Sequence, residues 1–177
     1  MKLLHILCLL SIVLGQFVSA QSSNSIGREF SSNDDFVKAN SIRLPKPVLS
    51  ALLASKEAVR GWAWVRDNPG RDRNFLFNGF WVNLSTTTDE KDYVAIGKVP
   101  LAGDGDWFWV VRSFSPRPRV VLFCNALTVD LLPSVHHSLQ DIRCTWESPG
   151  GDGYIDDYQF DGQKYVLAKE TLTQRRP

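Results

Sequence analysis

Downstream of Gly61, apolar and polar side chains alternate with a period of two, and this pattern constrains the fold more than any other feature. The alternating runs are rich in β-branched and aromatic residues, and turn-forming residues interrupt them roughly every ten positions. Asp161-Gly162 separates the last two runs. This dipeptide favours a tight hairpin because a type I′ turn needs positive φ at both central residues. The pattern therefore predicts an antiparallel β-meander that ends in a hairpin.

One segment upstream of the meander has the periodicity of a helix instead. Its apolar residues are spaced to form a single helical face, and they are Val48, Leu49, Leu52, Leu53 and Val59. Pro45 and Pro47 suit the first turn of this helix, and Gly61 suits a left-handed C-terminal cap. We therefore predict an α+β fold in which one N-terminal helix packs on a twisted antiparallel β-meander of five to seven strands.

The N-terminal sequence has the features of a secretory signal peptide. Lys2 precedes an apolar stretch that is too short to span a bilayer, and Val18-Ser19-Ala20 provides the small residues needed for cleavage. The predicted organisation is a signal peptide at 1–20, a disordered leader at 21–41, a single α+β domain at 42–170 and a flexible tail at 171–177. We expect the mature protein to be secreted or periplasmic, with no membrane span after signal cleavage.

The charge balance argues against nucleic acid as a partner. Removal of Lys2 with the signal peptide leaves as many basic as acidic residues in the mature chain. Proteins bind phosphate backbones largely through an excess of Lys and Arg, and a neutral chain lacks the field that attracts a polyanion. We therefore expect no nucleic-acid binding.

Two cysteines, Cys124 and Cys144, remain after processing, and both lie in strand-like runs. Two thiols in an exported domain of this size usually pair, because the compartment is oxidising. The sequence therefore predicts a disulfide between neighbouring strands.

The six tryptophans of the chain provide the main indication of function. Alternation along a strand places Trp107 and Trp109 on one face and Phe108 on the other. If the helix covers one side of the sheet, Trp107, Trp109 and Trp81 form an aromatic strip on the open side. Such strips bind sugars, peptides or proteins. We predict these three tryptophans as ligand-binding residues, with core packing as the alternative.

Histidine and acidic residues give little support for catalysis or metal binding. Ser134, His137 and Asp141 could form a triad, but no Gly-x-Ser-x-Gly motif accompanies them. The acidic clusters do not follow the ligand spacing of calcium loops. We expect no catalytic residue, no metal and no cofactor. A hydrolase that uses Glu147 and Asp106 as paired carboxylates is the enzymatic alternative.

The closing hairpin follows the pattern Tyr-x-Phe-Asp-Gly-x-x-Tyr, and Asp141-Ile142 leads into an earlier strand. The residues of the pattern are Tyr158, Phe160, Asp161, Gly162 and Tyr165. This ending resembles that of small secreted bacterial proteins of unknown function. The resemblance implies a periplasmic or exported protein, and it brings no catalytic residues.

These features favour an exported, non-enzymatic binding or inhibitor-type module. The predicted binding surface is an aromatic sheet face or the loop ends, and the predicted partner is a protein or a cell-wall glycan. An extracytoplasmic hydrolase with carboxylates at the sheet edge and a structural envelope protein are the alternatives. The solvent exposure of Trp107 and Trp109 distinguishes a binding module from a structural protein.

Overall fold

The structure is a computed structural model that describes residues 28–58, 66–70, 72–88, 90–98, 106–113, 117–148 and 150–173. The predicted signal peptide at 1–20 lies outside the described residues, as do residues 174–177 of the predicted tail. No helix in the described part of the chain is long and apolar enough to cross a membrane.

The described residues form nine strands, two α-helices and two short 3-10 helices. The strands are β1 (Glu29–Ser31), β2 (Phe77–Val82), β3 (Asp92–Gly97), β4 (Trp107–Arg112), β5 (Arg119–Asn125), β6 (Thr128–His136), β7 (Leu139–Glu147), β8 (Gly153–Phe160) and β9 (Tyr165–Thr173). The helices are α1 (Asp34–Asn40) and α2 (Lys46–Leu53), and the 3-10 helices are Lys56–Ala58 and Arg73–Leu76.

The strands form two antiparallel sheets that pack face to face. The helix-side sheet has the order β2-β3-β4-β5, and the outer sheet has the order β1-β6-β7-β8-β9. The predicted single meander with one covering helix is therefore wrong. Every residue of β3 is buried, so both faces of this strand need a cover. A lone helix covers only one face, and the outer sheet covers the other.

Two apolar clusters fill the spaces between these layers. The cluster between the sheets includes Phe80, Val94, Phe108, Leu122, Ile142 and Phe160. The cluster between α2 and the helix-side sheet includes Val48, Leu52, Phe77, Ala95 and Trp109. The molecule is thus a β-sandwich with a helix on one outer face.

The helix α2 is shorter than the sequence predicts. It ends at Leu53, the 3-10 helix Lys56–Ala58 follows, and the predicted cap Gly61 lies outside the described residues. Upstream, β1 and α1 lie within the segment predicted as a leader, and Phe30 of β1 is fully buried against the Phe80 ring at 5.9 Å.

The predicted hairpin and the predicted disulfide are both present. β8 and β9 pair through a turn at 161–164, where the Asp161 carboxylate accepts hydrogen bonds from the backbone N–H groups of Gln163 and Lys164 at 2.7 and 2.8 Å. Cys124 of β5 and Cys144 of β7 form the disulfide, which joins the two sheets.

Candidate functional site

The three predicted tryptophans lie on the helix-covered face of the helix-side sheet. Trp109 is 0% exposed beneath α2, and its ring contacts those of Trp107 and Phe123 at 6.1 and 5.2 Å. Trp107 is half-buried at the border of the same cluster. Trp81, also half-buried, pairs with Tyr93 at the far side of the sheet. Trp107 and Trp109 therefore meet, but α2 occupies the face that they would present.

A groove runs instead beside β5, the last strand of the helix-side sheet. β5 pairs with β4 on one side, and no strand among the described residues pairs with its other side. The groove has a volume of about 520 Å³. The residues that line it are Ser55, Lys56, Glu57, Val120, Val121, Leu122, Phe123, Tyr158, Lys164 and Tyr165.

Three local features produce this groove. The chain leaves α2 after Leu53 and places Ser55 to Glu57 along one wall. The pairing of β4 with β5 shifts between Val110 and Val111, which leaves Val121 without a partner in the register. The β8–β9 hairpin forms the opposite wall, and the hydroxyl of the buried Tyr165 anchors it by donating to the Gln140 carbonyl at 2.7 Å.

The inner face of β8 and β9 continues beyond the groove as a shelf. Cys144 faces the helix-side sheet, because its disulfide joins it to Cys124 of β5. Asp156 is the cross-strand partner of Cys144, and cross-strand partners lie on the same face, so Asp156 also faces that sheet. The cross-strand pairs on this face are Tyr154 with Leu172, Asp156 with Glu170, and Tyr158 with Leu167. We call these six residues the shelf. Two of its leucines are strongly exposed, Leu167 at 51% and Leu172 at 69%.

The carboxylate of Asp156 is the unusual electrostatic feature of the shelf. Its Oδ2 accepts a hydrogen bond from the Tyr158 hydroxyl at 3.2 Å, whereas its buried Oδ1 has no hydrogen-bond partner in the described part of the chain. Burial raises the pKa of Asp156, and the nearby Glu170 and Asp157 carboxylates raise it further. Burial and the Asp156 charge also raise the pKa of Tyr158 to about 12.

The neighbouring Asp157 has the opposite environment. It lies on the other face of β8, where the Arg143 guanidinium donates to its two carboxylate oxygens at 2.7 and 3.0 Å. This bidentate pair lowers the pKa of Asp157. Adjacent residues on a strand face opposite sides, so the available cation neutralises Asp157 and leaves Asp156 uncompensated.

The predicted triad of Ser134, His137 and Asp141 does not form, because His136 and not His137 contacts Asp141. Ser134 Oγ donates to the Asp141 carboxylate at 2.7 Å and His136 Nδ1 lies 2.8 Å from it, so Asp141 holds both groups and braces the β6–β7 hairpin. His137 lies in the turn of that hairpin with φ of 48°. Glu147 lies on the face of β7 that points away from the helix-side sheet. Asp106 directly precedes β4, which belongs to that sheet. Among the described residues, no group of three or more His, Cys, Asp or Glu side chains could hold a metal.

Sequence reasoning missed the groove because it depends on which strand ends a sheet. Residues 126 and 127 carry the chain from β5 into the outer sheet, and this crossover leaves β5 as an edge strand. The adjacent acids of "YIDDYQF" could have indicated the acidic group, since alternation along a strand places Asp156 and Asp157 on opposite faces of β8. No protein-family model matches the sequence, and no curated protein or solved structure is significantly similar to it.

Proposed function

We propose that this protein is an exported, non-enzymatic binding module that takes up an extended segment of a partner protein along the free edge of β5. The single observation that carries the proposal is the groove, which places the open edge of β5 between two walls. Edge strands bind extended peptides by adding them to the sheet, with main-chain hydrogen bonds as the source of affinity.

The groove has the features that strand addition requires. β5 contains seven residues; the Asn125 carbonyl at its end already accepts a hydrogen bond from the Tyr154 hydroxyl at 2.8 Å, and the residues before it are enough to align several backbone N–H and C=O groups with a guest strand. Tyr158 and Tyr165 provide an aromatic wall, and Lys56, Glu57 and Lys164 provide polar groups around it. An aromatic centre with a polar rim is typical of protein-binding surfaces. A protein segment therefore suits this site better than a glycan, which has no peptide groups that repeat at the spacing of the strand.

The disulfide supports the same function. Cys124 belongs to β5, so its bond to Cys144 fixes the binding edge against the outer sheet. A rigid edge loses less conformational entropy when a guest strand pairs with it, and this increases affinity. The disulfide also supports export, together with the N-terminal sequence that predicts a signal peptide.

A blocking substitution tests the proposal. The mature protein is used to select binders from a displayed library of random peptides, and the affinity of the selected peptides is measured for two variants. Ser55 lines the groove and its hydroxyl is already buried, so the longer side chain of Ser55→Arg can be accommodated only by extending into the groove, whereas Ser50→Arg makes the same change on an exposed position of α2 outside the groove. We expect Ser55→Arg to reduce affinity at least tenfold and Ser50→Arg to leave it unchanged.

Thermal melting of both variants confirms that they are folded before binding is compared. Equal affinity of the native protein and a folded Ser55→Arg variant would show that the peptides bind elsewhere, and the proposal would fail. Selection of no peptide at all would count against it equally.

A further inference from the structure

The shelf beside the groove contains two carboxylates that face each other across β8 and β9. Asp156 and Glu170 are direct cross-strand partners. Like charges in this position destabilise a sheet. In the described part of the chain, no ion pair involves either residue, and the charges that act on Asp156 are all negative. The fold therefore holds an acidic pair that it does not neutralise.

A guest strand on β5 would extend the helix-side sheet over this shelf. Tyr158 connects the two features, because it lines the groove and its hydroxyl donates to Asp156. Packed sheets lie about 10 Å apart, so every second side chain of the guest strand would point onto the shelf. The exposed Leu167 and Leu172 flank the acidic pair on β9 and offer apolar contacts on both sides of it.

On the basis of the proposed function, we infer that the guest segment carries a Lys or Arg that binds between Asp156 and Glu170, with apolar residues at alternate positions. Two observations support a cation at this place. Asp156 and Glu170 face each other as cross-strand partners with no cation paired to either in the described part of the chain, and the buried Oδ1 of Asp156 has no donor there. A basic side chain would supply both the donor and the charge.

Three synthetic peptides of about nine residues test the inference, a length that spans β5 at roughly 3.3 Å per residue. Each alternates Thr and Val, and they differ only at the central position, which is Lys, norleucine or Glu. We expect the native protein to bind the Lys peptide about tenfold more tightly than the norleucine peptide, and the Glu peptide more weakly than either. Fluorescence anisotropy of labelled peptides measures these dissociation constants.

Carboxylate variants identify the source of the preference. Asp156→Asn and Glu170→Gln should reduce the Lys preference while the norleucine peptide binds as before. Asp157→Asn removes a carboxylate from the opposite face of the same strand and should leave the preference unchanged.

The outcomes separate the inference from the proposed function. If the three peptides bind equally and Ser55→Arg abolishes their binding, the groove is the site and the inferred basic residue is wrong. If Ser55→Arg has no effect on any of them, the proposed function itself fails. A Lys preference that survives in both Asp156→Asn and Glu170→Gln would overturn the inference, because the cation would then bind elsewhere.

Discussion

Replacement of Trp109 by Ala should destabilise the protein by about 3–5 kcal/mol, which is the usual range for deleting a buried Trp. The side chain is fully buried between α2 and β4. A buried Trp removes roughly 150–250 Å² from water, which corresponds to about 4–6 kcal/mol at 25 cal/mol per Å². Its Nε1 has no acceptor among the described residues, and an unpaired buried donor costs about 1–3 kcal/mol. Subtracting the cost of the unpaired donor from the stabilisation by burial leaves about 3 kcal/mol, which is the lower end of the expected loss.

Trp109→Phe is the matched variant. It keeps a ring against Phe77 and Phe123 and removes the unpaired donor, so we expect the free energy of unfolding to stay within about 1 kcal/mol of the native value. Urea unfolding followed by far-ultraviolet circular dichroism measures both variants. In thermal melts, the Ala variant should lose about 6–20 °C.

Two results would refute the assignment of Trp109 to the core. One is a decrease of less than about 1 kcal/mol in the free energy of unfolding of the Ala variant, because removal of a fully buried side chain of this size destabilises a protein by more than that. The other is a folded Trp109→Phe variant that no longer binds the selected peptides. That variant would make Trp109 a recognition residue, as the sequence predicts.

Two further predictions concern the disulfide and the shelf. Replacing Cys124 and Cys144 together by Ala should lower the free energy of unfolding by about 3 kcal/mol for a sequence separation of 20, and an unchanged urea midpoint would contradict this. Asp156→Asn should raise the free energy of unfolding by about 0.2–1 kcal/mol at neutral pH, by relieving the repulsion from Glu170. The gain should vanish as the pH falls from the raised pKa of Asp156 in the native protein to its ordinary value of 3.8, because protonation then removes the same charge that the substitution removes. A gain that persists below that pH would contradict the repulsion.

The local features of the fold could be predicted from the sequence. The hairpin after Phe160 follows from Asp161-Gly162, the start of α2 follows from its prolines, and the disulfide follows from two cysteines in a chain predicted to be exported. Each of these depends on residues that are close in sequence or on simple counting. The end of α2 was misjudged because the apolar spacing continues to Val59, although the chain leaves the helix after Leu53.

The division into two sheets could not be predicted in the same way. Alternation shows that a segment is a strand, but the choice of partner strand depends on contacts between distant residues. The apolar run Tyr93–Ile96 within β3 indicated burial on both faces, but the predicted fold covered only one of them. The ion pair of Asp157 could not be predicted for the same reason, since Arg143 lies beside Asp157 only because β7 pairs with β8.

The candidate site combines both kinds of information. The acids near Tyr158 are visible in the sequence, whereas the open edge of β5 exists only because the chain crosses to the outer sheet after Asn125. The aromatic strip was a reasonable prediction from strand alternation. The face that it named is the one that α2 covers.

Amide hydrogen exchange along β5 tests the central claim most directly. In the free protein, the amides of β5 that point away from β4 should exchange quickly, and those paired with β4 should exchange slowly. Saturation with a selected peptide should protect the fast amides and leave β9, the edge of the outer sheet, unchanged. Fast amides that remain fast when the peptide is bound would show that no guest strand pairs with β5.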